Sequence, residues 1–211
     1  MIKIITIKTF KEAFNNIEKE LLSQKEYLNE LDSSIGDSDH GQSVVKAFKG
    51  ANEAINIKEE IDNIGELLLE VAKSIISSAG GATGPLYGSC FMAASKEIGS
   101  KEKLDLTGFK QFLEAMEKGL INRGGAEPGD KTMLDTLHPA VEEVKKADTL
   151  EEALSKALTA AEEGKESTKE MISGRGRSKR LGDRSKGHID PGAASMFIII
   201  NEFIKSFQKK L

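Results

Sequence analysis

Apolar residues recur along this chain at three- and four-residue steps, the spacing that aligns side chains on one face of an α-helix. Thr9 and Glu12 form a capping-box pattern ahead of Phe10, Phe14, Ile17, Leu21, Leu28 and Leu31, which predicts an amphipathic helix or two in series. Val44, Val45, Phe48 and Ile55 mark a second helix, and Ile64, Leu67, Leu68, Val71 and Ile75 a third that stops at Gly80-Gly81. Pro85 can open a fourth. A fifth, capped by Thr107, carries Phe109, Phe112, Leu113, Met116 and Leu120 and ends at Gly124-Gly125. Leu134, Leu137, Val141 and Val144 mark a sixth, with a kink or late start expected at Pro139. Thr149 and Glu152 repeat the capping box before Leu150, Leu154, Ala157, Leu158 and Ala161, and Pro191 opens the last helix, with Phe197, Ile200, Phe203, Ile204 and Phe207 inward. Residues 2–7 look strand-like, but a lone strand has no partner. The pattern predicts an all-α barrel or bundle of about eight antiparallel amphipathic helices, organised as a single domain over residues 1–211.

The connections are less ordinary than the helices. Four are rich in glycine: Gly36 to Gly41, Gly80 to Gly88, Gly124 to Gly129 and Gly174 to Gly192. A short helix connection needs perhaps one capping glycine. These four follow the first, third, fifth and seventh predicted helices, so if neighbours alternate in direction all four meet at one end, where a composite site can form.

Composition narrows what such a site serves. The 211 residues carry 34 acids and 30 bases, a net charge of −4, which disfavours nucleic acid and acidic membranes as partners. The one cysteine, Cys90, can form neither an internal disulfide nor a zinc cluster, and Met1 to Lys8 has no signal-peptide pattern, so a cytoplasmic location is expected.

Within the first loop, Asp32, Asp37 and Asp39 lie within eight residues with no Lys or Arg among them, and they repel one another unless a hard cation sits between them. The competing reading, that Asp39 merely caps the next helix with Gln42 completing a capping box, accounts for one aspartate of the three. His40 can contact a phosphate, act as acid or base, or bridge a helix terminus. Gly80-Gly81-Ala82-Thr83-Gly84-Pro85-Leu86-Tyr87-Gly88 can form an anion-binding nest or simply a long turn. Gly125 to Thr132 imitates a P-loop, but Asp130 replaces its second glycine and no strand precedes it, so that reading is rejected. The last loop has six Lys or Arg against one acid over residues 174–189, a positive field suited to a polyphosphate or an acidic partner, or else a solvated flexible loop. Acid for magnesium and base for phosphate at one end point to phosphoryl transfer.

Four motifs then coincide with one family. Asp32-x4-Asp37-Ser38-Asp39-His40-Gly41, the Gly80 to Gly88 segment, Glu127-Pro128-Gly129-Asp130-Lys131-Thr132-Met133 and Gly187-His188-Ile189-Asp190-Pro191-Gly192 closely resemble the nucleotide-binding L subunit of dihydroxyacetone kinase, in the family's order and over nearly the whole chain. The resemblance implies a barrel of eight antiparallel helices with an adenine nucleotide, ADP or ATP, and two Mg²⁺ at one end. It implies Asp32, Asp37 and Asp39 as magnesium ligands, acting in catalysis through the metal. His40, Gly41, Gln42, Ser43, Ala82, Thr83, Gly124, Met133, Arg177, Asp190, Pro191 and Gly192 are implied at the nucleotide, with Arg177 stabilising charge. It further implies resident ADP recharged by a phosphotransferase-system donor, and transfer of the γ-phosphate to dihydroxyacetone on a separate K subunit. A transcriptional regulator joins the expected partners. An ATP-exchanging kinase subunit for a related small ketose, or a regulatory subunit read through its nucleotide state, are the alternatives. Where the family commonly has Ser-Tyr, this chain has Lys179-Arg180, and Ser43 stands where asparagine is usual.

Overall fold

The computed structural model describes residues 4–58 and 60–209. Its helices are α1 (Ile7–Ser23), α2 (Lys25–Ile35), α3 (His40–Ile57), α4 (Ile64–Ser78), α5 (Thr83–Ile98), α6 (Leu106–Gly124), α7 (Leu134–Lys145), α8 (Leu150–Ser167) and α9 (Pro191–Gln208). Each of α3 to α8 packs on the next, α1 packs on α3, and α9 returns to α1, so eight helices close a ring with α2 laid against α3 and α9. This is the all-α barrel the periodicity predicts. The first apolar stretch divides in two, with Gln24 as the break between α1 and α2.

Inside the ring, most phenylalanine pairs pack edge to face, the arrangement their ring quadrupoles favour, while Phe203 and Phe207 are tilted at 37°. Phe203 is the hub: its ring centroid lies 5.3 Å from Phe14, 5.6 Å from Phe112 and 5.6 Å from Phe207. Phe10 meets Phe207 at 5.1 Å. These rings belong to one contiguous core that all the ring helices share.

Several predicted boundaries move. The strand-like N-terminal segment does have a partner: β1 (Ile5–Thr6) pairs antiparallel with β2 (Lys103–Leu104), while residues 2 and 3 of the expected strand lie outside the described residues. A two-residue partner has no periodicity to reveal it. The cap of α1 is Thr6 rather than Thr9, because Thr9 already sits in the first turn, where its hydroxyl accepts from the Thr6 N–H at 2.7 Å. Asp105 rather than Thr107 caps α6, accepting from the Gly108 N–H at 2.8 Å. Pro85 falls inside the first turn of α5, and Pro139 inside α7. Thr149 caps α8 and Pro191 opens α9, as their patterns predict, and Asp190 is the cap of α9.

Candidate active site

Residues from all four glycine-rich loops line one cleft of about 710 Å³. The alternation of helix direction brings them to one end of the barrel. Asp32, Asp37 and Asp39 form its acidic wall, and each offers a carboxylate oxygen within 4.8 Å of the others. Asp32, at the end of α2, is buried, and its Oδ2 accepts from the N–H groups of Asp39 at 3.0 Å and His40 at 3.2 Å. These bonds fold the loop around the carboxylate. Gly36 completes the cradle, since a Cβ there would lie 2.0 Å from Asp32 Oδ1. Between Asp37 and Asp39, Ser38 takes a left-handed φ of 66°, which side chains rarely adopt.

Asp39 occupies the N-cap position of α3, yet its side chain makes no capping bond. The simple capping reading of Asp39 therefore fails, and its carboxylate is left with the other two. A set of three hard oxygen donors, one of them rigidly held, fits a magnesium ion. Arg177 reaches across from the last loop and pairs with Asp37.

The opposite wall is built from Gly80, Gly81, Ala82 and Thr83 at the start of α5. Around Gly80 and Gly81 an added Cβ would meet nothing within 4 Å, so this stretch is open to a ligand. Leu86, Leu120, Gly124, Ala126, Met133 and Pro191 give the cleft an apolar side, with Arg123 and Arg175 at its edge.

Of the predicted site residues, Asp32, Asp37, Asp39, His40, Ser43, Ala82, Thr83, Gly124, Met133, Arg177, Asp190, Pro191 and Gly192 line the cleft. Gly41 and Gln42 do not. His40 and Ser43 are three apart on one helical face, which turns the two residues between them elsewhere. Gly41 is buried against α2, where a Cβ would meet the Lys25 carbonyl oxygen at 2.1 Å, and the exposed Gln42 donates its N–H to Asn29 Oδ1 at 3.3 Å.

A hydrogen-bonded group that the sequence did not disclose fixes His40. Its Nε2 lies 2.7 Å from Ser195 Oγ, which is also 2.7 Å from the Tyr87 hydroxyl and 3.1 Å from the Pro191 carbonyl. The serine hydroxyl thus links the Tyr87 hydroxyl and the His40 ring, with the Pro191 and Gly192 carbonyls each 3.1 Å from it as further acceptors. Burial pulls the His40 pKa down to about 4, against the pull of Asp32, and the ring is neutral at pH 7. Asp190 is half-buried, and desolvation pushes its carboxyl up to about 7 despite the Ala193 N–H bond and the nearby Lys131.

The P-loop lookalike is closed to phosphate for a visible reason. Asp135 accepts from the N–H groups of Gly129 at 2.5 Å and Thr132 at 2.7 Å, and Asp130 accepts from Glu127 N–H at 2.9 Å. The loop's own carboxylates occupy the amides that a phosphate nest would need. Ser195, Tyr87 as a hydroxyl donor, Asp130 and Asp135 were missed because a serine inside a helix, or an aspartate beside a turn, carries no distinguishing pattern.

Comparison with known proteins places the chain in a family. Residues 34–205 match the DAK2 domain. The chain is 37% identical over 182 residues to the PEP-dependent dihydroxyacetone kinase, ADP-binding subunit DhaL, of Escherichia coli K12, covering 84% of this chain and 86% of that one. It is 34% identical over 192 residues to the PTS-dependent dihydroxyacetone kinase, ADP-binding subunit DhaL, of Lactococcus lactis, covering 91% and 93%. The crystal structure of the dihydroxyacetone kinase from C. freundii in complex with AMP-PNP and Mg²⁺ superposes with a TM-score of 0.72 over 98% of this chain at 22% identity, and the chain spans about a third (35%) of that kinase. A family match over residues 34–205 and identity above 30% across most of the chain agree: the chain belongs to the DAK2 domain family.

Proposed function

We propose that this protein is the ADP-binding subunit of a phosphotransferase-system-dependent dihydroxyacetone kinase. In this reading it works in the cytoplasm, holding ADP or ATP with two Mg²⁺, receiving a phosphoryl group from a phosphotransferase-system protein and handing it to dihydroxyacetone on a separate K subunit. The observation that carries the reading is the convergence of the Asp32, Asp37 and Asp39 carboxylates, the open Gly80–Thr83 segment and Arg177 on one cleft. The names of the relatives supply dihydroxyacetone as substrate, ADP as the nucleotide and the dependence on the phosphotransferase system.

Asp32, Asp37 and Asp39 would hold the metal, which when bound neutralises charge on phosphate oxygens. Asp32 is aimed in advance by two backbone N–H bonds, so little ordering is needed on binding. The start of α5 offers N–H groups and the positive end of a helix to phosphate. Arg177 supplies a cation beside the acidic wall, placed to stabilise negative charge in transfer. Leu86, Leu120 and Met133 form an apolar side suited to an adenine ring and exclude water from it. The neutral His40, tied to Ser195, gives α3 a fixed start at the cleft.

Protein purified without added nucleotide should release ADP when denatured, and Asp37→Ala should lose both retained ADP and transfer to dihydroxyacetone in the reconstituted system. Wild-type protein that emerges empty and does not bind ADP with Mg²⁺ overturns the reading.

A further inference from the structure

Lys131 lines the cleft but has no role in that scheme, and it is the one buried lysine among the described residues, at 1% exposure. Its backbone takes a left-handed φ of 59°, held by the Asp135 bonds to Gly129 and Thr132 on either side. This geometry sends the side chain away from the loop surface and into the base of the segment that carries Arg175 and Arg177. There its ammonium donates to two backbone carbonyls, those of Thr168 and His188. Thr168 is the residue after α8, and His188 lies three before α9, so the two acceptors are the two roots of the intervening segment.

Other bonds converge on the same roots. Gly187 N–H donates to the Lys169 carbonyl at 2.7 Å, Asp190 N–H to Thr168 Oγ1 at 3.1 Å, and Gly174 N–H to the Asp130 carbonyl at 2.9 Å. Arg175 Nε bonds Asp130 Oδ2 at 3.2 Å. A Cβ on Gly174 would stand 2.1 Å from Asp130 Oδ1, so the approach of the two loops is close. Lys131 is the only one of these ties that spans both roots from a third element. Burying an ammonium is costly, and a methionine would fill the same space without that cost. Asp190, Glu170 and Asp135 are the carboxylates whose charge offsets it.

We propose that Lys131 is a positioning residue that clamps the two roots of the 169–187 segment and so holds Arg177 over the acidic wall. The inference rests on the nucleotide-binding reading for its consequence, although the clamp itself can be tested without nucleotide.

The experiment compares wild type with Lys131→Met and Lys131→Arg, after confirming that each unfolds cooperatively. Trypsin cleavage within residues 175–186 is followed without nucleotide, and dissociation of a fluorescent ADP analogue is followed with Mg²⁺. Loss of two charge-assisted hydrogen bonds predicts that both rates rise about tenfold or more in Lys131→Met. Lys131→Arg keeps the donors and should restore both to within about threefold, which a role in packing alone does not predict. Rates within twofold of wild type in a folded Lys131→Met overturn the proposal, as does an Arg variant as fast as the Met variant. Faster cleavage with unchanged dissociation overturns the positioning role. If wild type binds no nucleotide while cleavage still accelerates, the nucleotide reading fails and the clamp stands. If Lys131→Met does not fold, ¹⁵N spectra of wild-type lysine side chains decide. One slowly exchanging Nζ–H₃ signal supports the clamp, and its absence refutes it.

Discussion

Asp39→Asn separates a metal-binding wall from a structural one, because the two roles give stability changes of opposite sign. The three carboxylates approach within 4.8 Å, and at that distance each pair repels by about 0.9 kcal/mol in bulk water and about 3.5 kcal/mol at an effective dielectric of ~20. Asp37 and Asp39 are exposed, and Arg177 already offsets part of the charge on Asp37, so the lower value governs. Removing the Asp39 charge relieves two such pairs, roughly 2 kcal/mol. The lost negative charge at the start of α3 returns about 0.3–1 kcal/mol. No capping bond is lost, since the side chain makes none. Ligand-free Asp39→Asn should therefore be more stable than wild type by about 1 kcal/mol, a rise of roughly 2–4 °C in Tm for a chain of this size. The gain should shrink in 1 M salt as screening shortens the range of repulsion. With Mg²⁺ and ADP at a hundred times the wild-type Kd, wild type should gain about 2.7 kcal/mol by mass action, and the variant much less. Calorimetric scans of both proteins, with and without Mg²⁺ and ADP, measure all four states. A ligand-free variant less stable than wild type, or one with the full ligand-induced rise, would refute the argument.

Two further outcomes follow from the core and the cleft. Phe203→Ala removes the ring that touches Phe14, Phe112 and Phe207 and should cost about 3–5 kcal/mol, seen as a lower urea midpoint at unchanged slope; a loss under 1 kcal/mol would mean the barrel interior repacks freely. The Asp190 carboxyl is raised to about 7 by burial, so the folded state binds the extra proton and this group's contribution to stability, full at pH 4, is lost as pH rises toward 7 and above. Asp190→Asn should therefore gain on wild type by about 2–3 kcal/mol between pH 5 and pH 8 in urea titrations, and a difference independent of pH contradicts the assignment.

Much of the barrel could be read from spacing alone. Phe10, Phe14 and Phe203 fall on inward stripes because a helix repeats every 3.6 residues, and a face that must leave water shows in any window of a few turns. What escaped were features whose partners lie far away in sequence: the pairing of Ile5–Thr6 with Lys103–Leu104, and the Ser195 hydroxyl between His40 and Tyr87. Helix starts were misplaced at Thr9 and Thr107 because the same residue types cap a helix or sit in its first turn, and only backbone dihedrals tell these apart.

The sequence by itself determined the helix faces, the even placement of the glycine-rich loops and the clustering of Asp32, Asp37 and Asp39, since each is a local pattern of residue types within a few turns of chain. Tertiary structure alone decided that Gly41 packs against α2 while His40 and Ser43 face the cleft, that Arg177 meets Asp37, and that Lys131 turns inward to Thr168 and His188. Those outcomes depend on which helices become neighbours when the ring closes, and contacts between residues 37 and 177 or 131 and 188 carry no periodic trace in the chain.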